Sequence, residues 1–205
     1  MSRNVIPMRV LVALTTATLL MSGCGGGADK EAAPVAGEMS KPEGAPMPTA
    51  DEFFEGAFNG RLDIVVSALQ GGFDVNARNP DARTALMLAA FNSHTEIVAQ
   101  LLAHGAKVDD RDPAERTALM YAATTASHQT VKVLLDKKAD IDAVEGGEKW
   151  TPLMFAAAEG HVTVVELLLA QGANADIIDD DGDTALSFAQ KNGHAEVVAI
   201  LQKSP

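Results

Sequence analysis

The stretch TALMLAAFNSHTEIVAQLLAHGAKVDDRD, Thr84 to Asp112, decides the fold because the chain repeats it. It returns as TALMYAATTASHQTVKVLLDKKADIDAVE from Thr117, as TPLMFAAAEGHVTVVELLLAQGANADIID from Thr151, and as TALSFAQKNGHAEVVAILQ from Thr184. The four threonines are spaced by 33, 34 and 33 residues. Counting back 33 from Thr84 reaches Asp51, where DEFFEGAFNGRLDIVVSALQGGFDVNARN keeps the register. Phe53 stands there in the leucine place and Gly56-Ala57 in the Ala-Ala place. A unit of this length cannot bury its apolar face alone, so copies must stack into one quasi-linear core.

Each copy reads as two helices. Thr84, Thr117, Thr151 and Thr184 are placed to cap a first helix by accepting from its unpaired N–H groups. Pro152 falls where a missing N–H costs nothing. The alanine pairs 89–90, 122–123 and 156–157 let neighbouring helices approach closely. Ile97, Val98, Leu101 and Leu102, like Val164, Val165, Leu168 and Leu169, make an apolar stripe on a second helix. Gly72, Gly105 and Gly172 stand where that helix stops and a left-handed residue is needed. Lys138 replaces this glycine in the third copy, predicting a strained or differently turned end.

The period, the T-x-L-x-x-A-A opening, the Gly-His before a Val/Leu-rich run and the following G-A-x-x-x resemble the ankyrin repeat. The resemblance covers 51–205 and implies an all-α repeat solenoid of five repeats, each a helix-turn-helix plus a β-hairpin loop. Their bounds are about 51–83, 84–116, 117–150, 151–183 and 184–205. The first copy, with Asp51, Glu52, Glu55 and Arg61, and the last, with Gln190, Lys191 and Asn192, have the polar character of caps, so a complete short array is expected.

Ahead of the array, MSRNVIPMRVLVALTTATLLMSGC carries Arg3 and Arg9 before a mostly apolar run from Val10 to Met21. Such a run suits the hydrophobic region of an export signal and is too short for the ~20 residues that span a bilayer. Leu20-Met21-Ser22-Gly23-Cys24 resembles a bacterial lipoprotein lipobox, with Met21 where leucine is usual. That resemblance implies that 1–23 is a signal peptide and that the only cysteine becomes the acylated first residue. It also places the protein on the periplasmic side of a bacterial membrane. Gly25 in place of an inner-membrane aspartate favours the outer membrane in a Gram-negative source. Residues 24–50, with five Gly, four Pro and six Ala among 25–50, are expected to form a flexible tether.

The formal charge is −12, dividing into +2 for 1–23, −2 for 24–50 and −12 for 51–205. Loss of the signal leaves −14. This balance argues against nucleic acid, which demands a cationic surface, and favours a basic protein partner. The membrane is reached through the lipid anchor only, and a monomer is expected. One cysteine excludes an internal disulfide framework.

No cofactor, metal or catalytic residue is expected. His94, His161 and His194 recur once per repeat, and helix axes ~8–10 Å apart hold them too far from one another to share a metal. The acidic 176–183 loop lacks two carboxylates of a calcium loop, leaving a solvated turn as the reading and a weak calcium site as the alternative. Nucleophile-elbow, phosphate-loop and H-E-x-x-H patterns are missing, so the chain does not read as an enzyme.

What remains is surface. Arrays of this kind resemble protein-binding modules that grip partners with loop tips and the exposed inner-helix face. The candidates are Arg78, Asp81, Arg111, Glu115, Arg116, Glu148 and Trp150 on the tips, and Phe91, Asn92, Thr124, Thr125 and Glu159 on the inner helices. Trp150 serves either as a hot-spot anchor or as packing under its loop. The partner is unspecified by these residues. Two sharper variants are an immunity protein neutralising a secreted toxic effector such as a lipase, and an accessory to a periplasmic stress-defence enzyme. The ladder Phe54, Met87, Met120, Met154 reads as packing between loop and helix.

Overall fold

The structure is a computed structural model that describes residues 47–203; Cys24, the signal segment and the tether up to residue 46 lie outside the described residues. The described residues form ten helices in five pairs. The first helices of the pairs are α1 Ala50–Asn59, α3 Ala85–Phe91, α5 Ala118–Ala123, α7 Pro152–Glu159 and α9 Ala185–Lys191. The second helices are α2 Leu62–Gln70, α4 Thr95–Ala103, α6 His128–Asp136, α8 Val162–Ala170 and α10 Ala195–Leu201. First helices pack on first helices and second on second along the array, so the main packing of each pair is against the next pair.

The four threonines cap their helices as the sequence predicts. Thr84, Thr117, Thr151 and Thr184 accept from the backbone N–H groups of Met87, Met120, Met154 and Ser187 at 3.3–3.4 Å. The first repeat departs from the register. Its cap is Thr49, two residues before Asp51, and Ala50, expected in the tether, is already helical. Thr49 and Glu52 form a reciprocal capping box, with the Thr49 N–H donating to Glu52 at 2.8 Å.

The core follows the predicted stripes. Ala89, Ala90, Ala122, Ala123, Ala156 and Ala157 are fully buried, as are Val98, Leu101, Val164, Val165 and Leu168, while Leu169 is only half-buried. Met87, Met120 and Met154 are also buried, so the methionine ladder belongs to the core and offers nothing to a partner. The expected β-hairpins are not regular ones. Among the described residues the loops between repeats contain no strand, and one isolated antiparallel bridge joins Arg78 to Thr84. One backbone hydrogen bond closes each loop, from the N–H of Asn79, Asp112, Glu145 or Asp179 to the carbonyl of Arg83, Arg116, Trp150 or Asp183, and side chains do the rest.

The three recurrent histidines tie repeats together. His94, His161 and His194 place Nε2 at 2.9, 3.1 and 2.9 Å from the carbonyl oxygens of Phe58, Thr124 and Ala158, each in the preceding repeat. The third repeat has Ser127 at this place, and Ser127 Oγ turns to Thr130 Oγ1 at 2.8 Å. It is also the repeat in which Lys138 takes the left-handed φ of +66° that glycine takes at 72, 105 and 172. The turn is therefore the same one, made with strain.

Candidate binding surface

Each loop from a second helix to the next first helix forms a finger around one inward acceptor: Asn79, Asp112, Glu145 or Asp179. Asn79 Oδ1 accepts from the N–H groups of Asp81 and Arg83 at 3.1 and 2.9 Å. Asp112 Oδ1 accepts from Ala114 and Arg116 at 2.9 and 2.8 Å, and Asp179 Oδ1 from Asp181 and Asp183 at 3.0 and 2.8 Å. In the third finger, one residue longer, Glu145 takes the N–H groups of Gly147, Glu148 and Trp150. The carboxylate that anchors the acidic 176–183 loop is thus buried and engaged with backbone. Among the described residues no three His, Cys, Asp or Glu side chains are grouped to hold a metal.

Successive fingers are tied by side chains. Arg78 Nη1 donates to the carbonyl of Ala82 in its own finger and of Arg111 in the next, both at 2.7 Å. Arg111 repeats this one finger on, donating to Glu115 at 3.1 Å and Val144 at 2.7 Å. The third and fourth fingers are joined by a Lys149–Asp180 ion pair and by the Asp180 N–H donating to the Glu148 carbonyl at 3.1 Å. Two of the arginines that sequence marks as partner contacts are therefore rungs of an internal ladder.

A second ladder lies between the fingers and the first helices. It is built from the residue just before each cap threonine: Arg83, Arg116, Trp150 and Asp183. The Arg83 guanidinium sits 5.8 Å from the ring centroid of Tyr121 on α5, and Arg116 sits 6.0 Å from that of Phe155 on α7. The Trp150 ring lies 5.2 Å from Phe155 on α7 and 4.2 Å from Phe188 on α9. Asp183 pairs with Lys191, whose ammonium also stands 5.7 Å from the Phe188 ring. Phe91 meets Tyr121 edge-on at 6.0 Å and extends the line toward the second repeat.

Tyr121 is buried, and its hydroxyl donates to Asp112 Oδ2 at 2.6 Å. Burial first, and the neighbouring Asp112 carboxylate second, push its phenol up to about 12; Arg83 and Arg116 pull weakly the other way. Both arginines thus bear on one buried Tyr–Asp pair.

The predicted contact residues divide into three groups. Phe91, Arg116 and Trp150 belong to the stacked line and are half-buried. Asn92, Thr124, Thr125 and Glu159 lie where first helices end. Three of these are occupied locally: Asn92 Nδ2 donates to Leu88, Thr124 Oγ1 to Tyr121, and Thr125 Oγ1 to Ala122 carbonyls at 3.4, 2.8 and 2.9 Å. Asp81, Glu115 and Glu148 are exposed at the finger apices. Sequence reasoning overlooked Arg83, Tyr121, Phe155 and Phe188. The signal was present: the residues before Thr84, Thr117 and Thr151 pair with the fourth residues of α5, α7 and α9, 38 or 39 residues further on.

A family model for ankyrin repeats (3 copies) matches residues 53–145 and 144–204. A search of curated proteins finds no match.

Proposed function

The chain belongs to the ankyrin-repeat family, and from that premise we propose that it is a lipid-anchored protein-binding module on the periplasmic side of a bacterial membrane. Ankyrin repeats indicate a protein–protein interaction module and are typically non-enzymatic, and no catalytic family matches. The observation that carries the binding role is the line Arg83, Arg116, Trp150. Its side chains are half-buried and chemically diverse, set on rings rather than sunk in the aliphatic core. Large aromatic and guanidinium groups of this kind concentrate binding energy at interfaces.

The anchor rests on sequence: Cys24 after a basic start, a short apolar run and small residues. Among the described residues no helix is long and apolar enough to cross a membrane. A full chain carrying Cys24→Ser is expected to leave the membrane fraction and to lose incorporation of labelled acyl chains. Retention in the membrane would refute the lipobox reading. The binding role is tested by placing a photoreactive residue at Phe91 of the full chain in the native host. A discrete cross-linked protein supports the module, and none after irradiation counts against it.

A further inference from the structure

Each second helix ends on a residue of ordinary negative φ. These residues are Gly71, His104, Lys137, Gln171 and Gln202, with φ of −74°, −91°, −92°, −91° and −70°. Four of them carry large polar side chains, and the first carries none. The left-handed turn after α2 is made by Gly72, so the backbone does not require glycine at 71. What Gly71 does provide is room. A Cβ there would stand 2.9 Å from Met47 Sδ, 3.0 Å from Cγ and 3.1 Å from Cε. The Met47 side chain thus lies against bare backbone at the end of α2, in a seat that any side chain at 71 would fill.

Met47 is the first described residue, followed by half-buried Pro48 and by Thr49, the cap of α1. The seat therefore lies where the segment expected to form the tether enters the array. Met47 also differs from the other described methionines in access. Met87, Met120 and Met154 are each 1% exposed, whereas Met47 is 50% exposed. Among these four, an oxidant in solution meets the Met47 sulfur first.

We propose that Met47 is an oxidation-sensitive latch that fastens the entering chain to the first repeat. In the reduced state its flexible, polarizable thioether fills the seat over Gly71. Hydrogen peroxide oxidises the sulfur by two electrons. One peroxide oxygen is transferred to Sδ, the O–O bond breaks, and the other oxygen leaves as water with both protons. The sulfoxide is polar and seeks donors. The Gly71 N–H is already engaged, donating to the Ser67 carbonyl at 3.0 Å, so the oxidised side chain is better solvated by water than by the seat. The latch opens, and the first fixed point of the chain moves from Met47 to the Thr49 cap. Methionine sulfoxide reductases reverse the change. The latch governs how the array is held and is independent of what the array binds.

The full chain is treated with hydrogen peroxide, and oxidation is located by tandem mass spectrometry. Met47 is expected to oxidise about tenfold faster than Met87, Met120 and Met154. Opening is read from the heteronuclear NOE of the Met47 amide, which should fall from a value near that of α1 to that of a loose chain end. Three variants separate a latch from mere exposure. Gly71→Ala fills the seat at a φ that alanine accepts. It should release Met47 without peroxide and speed its oxidation about threefold, without lowering the melting temperature. Met47→Gln, polar like the sulfoxide, should show the low NOE before any treatment. Met47→Leu should show the high NOE and keep it through treatment. A loose Met47 in the untreated chain, or an unchanged NOE after its complete oxidation, would overturn the latch. So would a Gly71→Ala chain whose Met47 behaves as in the native protein, or a peroxide response that survives in Met47→Leu.

Discussion

The Tyr121 hydroxyl donates a 2.6 Å hydrogen bond to Asp112 Oδ2, joining the inner acceptor of the second finger to the first helix of the third repeat. Asp112 Oδ1 meanwhile holds the finger's own N–H groups. Finger shape and repeat stacking are thereby coupled through one carboxylate. Tyr121 is the only tyrosine in the chain, so its ionisation can be read directly.

The first prediction follows from that uniqueness. The phenol is raised from an ordinary 10 to about 12, chiefly by burial and next by Asp112. A group with a raised folded-state pKa contributes stability that is complete below its unfolded value and lost as pH climbs through the folded value. Stability should therefore fall between pH ~10 and ~12. Absorbance of the phenolate should show a midpoint well above 10 in the folded chain and an ordinary one in denaturant. Tyr121→Phe should abolish this component of the slope and cost about 1–3 kcal/mol at neutral pH, because Asp112 Oδ2 is left without its donor. An ordinary midpoint in the folded protein would contradict the buried pair.

The second prediction concerns glycines that look alike in sequence. Gly72 and Gly160 both have positive φ, 90° and 75°. A Cβ at Gly72 meets nothing within 4 Å, whereas one at Gly160 would stand 2.5 Å from His194 Nδ1. Gly72→Ala should cost only the left-handed penalty of about 1–2 kcal/mol. Gly160→Ala adds displacement of the histidine and its bond to the Ala158 carbonyl, for a total of about 3 kcal/mol. Urea melts of Gly160→Ala, His194→Ala and the double variant should be markedly non-additive, since both changes remove the same contact. Additive losses would show that the ring does not rest on that glycine.

How much of this was legible beforehand can be argued from the same residues. The 33-residue spacing of Thr84 and Thr117 fixed the helix pairs, and Thr84 does cap its helix, because period and capping are local properties of the chain. The side-chain partners were not legible. Arg78 and Arg111 read as free surface charges, yet each donates to a carbonyl one finger on, a contact between residues 33 apart. His94 read as joining turn to helix, and its ring instead reaches Phe58. A repeat sequence displays what is the same in every copy, whereas what one copy does to the next depends on the stacking offset. The Arg83–Tyr121 contact is such an offset pair, visible only once the repeats are superposed on each other.

The third prediction exploits the strained residue of the third repeat. Lys138 holds φ +66° where Gly72, Gly105 and Gly172 hold about the same turn without a side-chain penalty. Lys138→Gly should stabilise the protein by about 1 kcal/mol, the left-handed cost less the added freedom of the unfolded chain. For a chain of this length that raises the melting temperature by about 2–4 °C. Lys137→Gly, at a position with φ of −92°, relieves no strain and should destabilise slightly. Equal effects at 137 and 138 would show that Lys138 is unstrained.

The fourth prediction separates packing from recognition at Trp150. Its ring bridges repeats, 5.2 Å from Phe155 in the fourth and 4.2 Å from Phe188 in the fifth. Removing a half-buried bridging ring costs less than the ~3–5 kcal/mol typical of core aromatics, and about 2 kcal/mol is expected for Trp150→Ala. The location of the loss is the sharper observable. In a linear array each repeat leans on its neighbours only, so weakening one interface lets the terminal repeat open first. Hydrogen exchange should accelerate in α9 and α10 of Trp150→Ala while α3 and α4 keep their protection. Trp150→Phe, which can still stack on Phe188, should restore most of the protection without restoring the indole. A partner cross-linked from Phe91 in equal yield on the Phe variant and on the native chain would then assign Trp150 to packing, whereas a lower yield with protection intact would assign the indole to the partner.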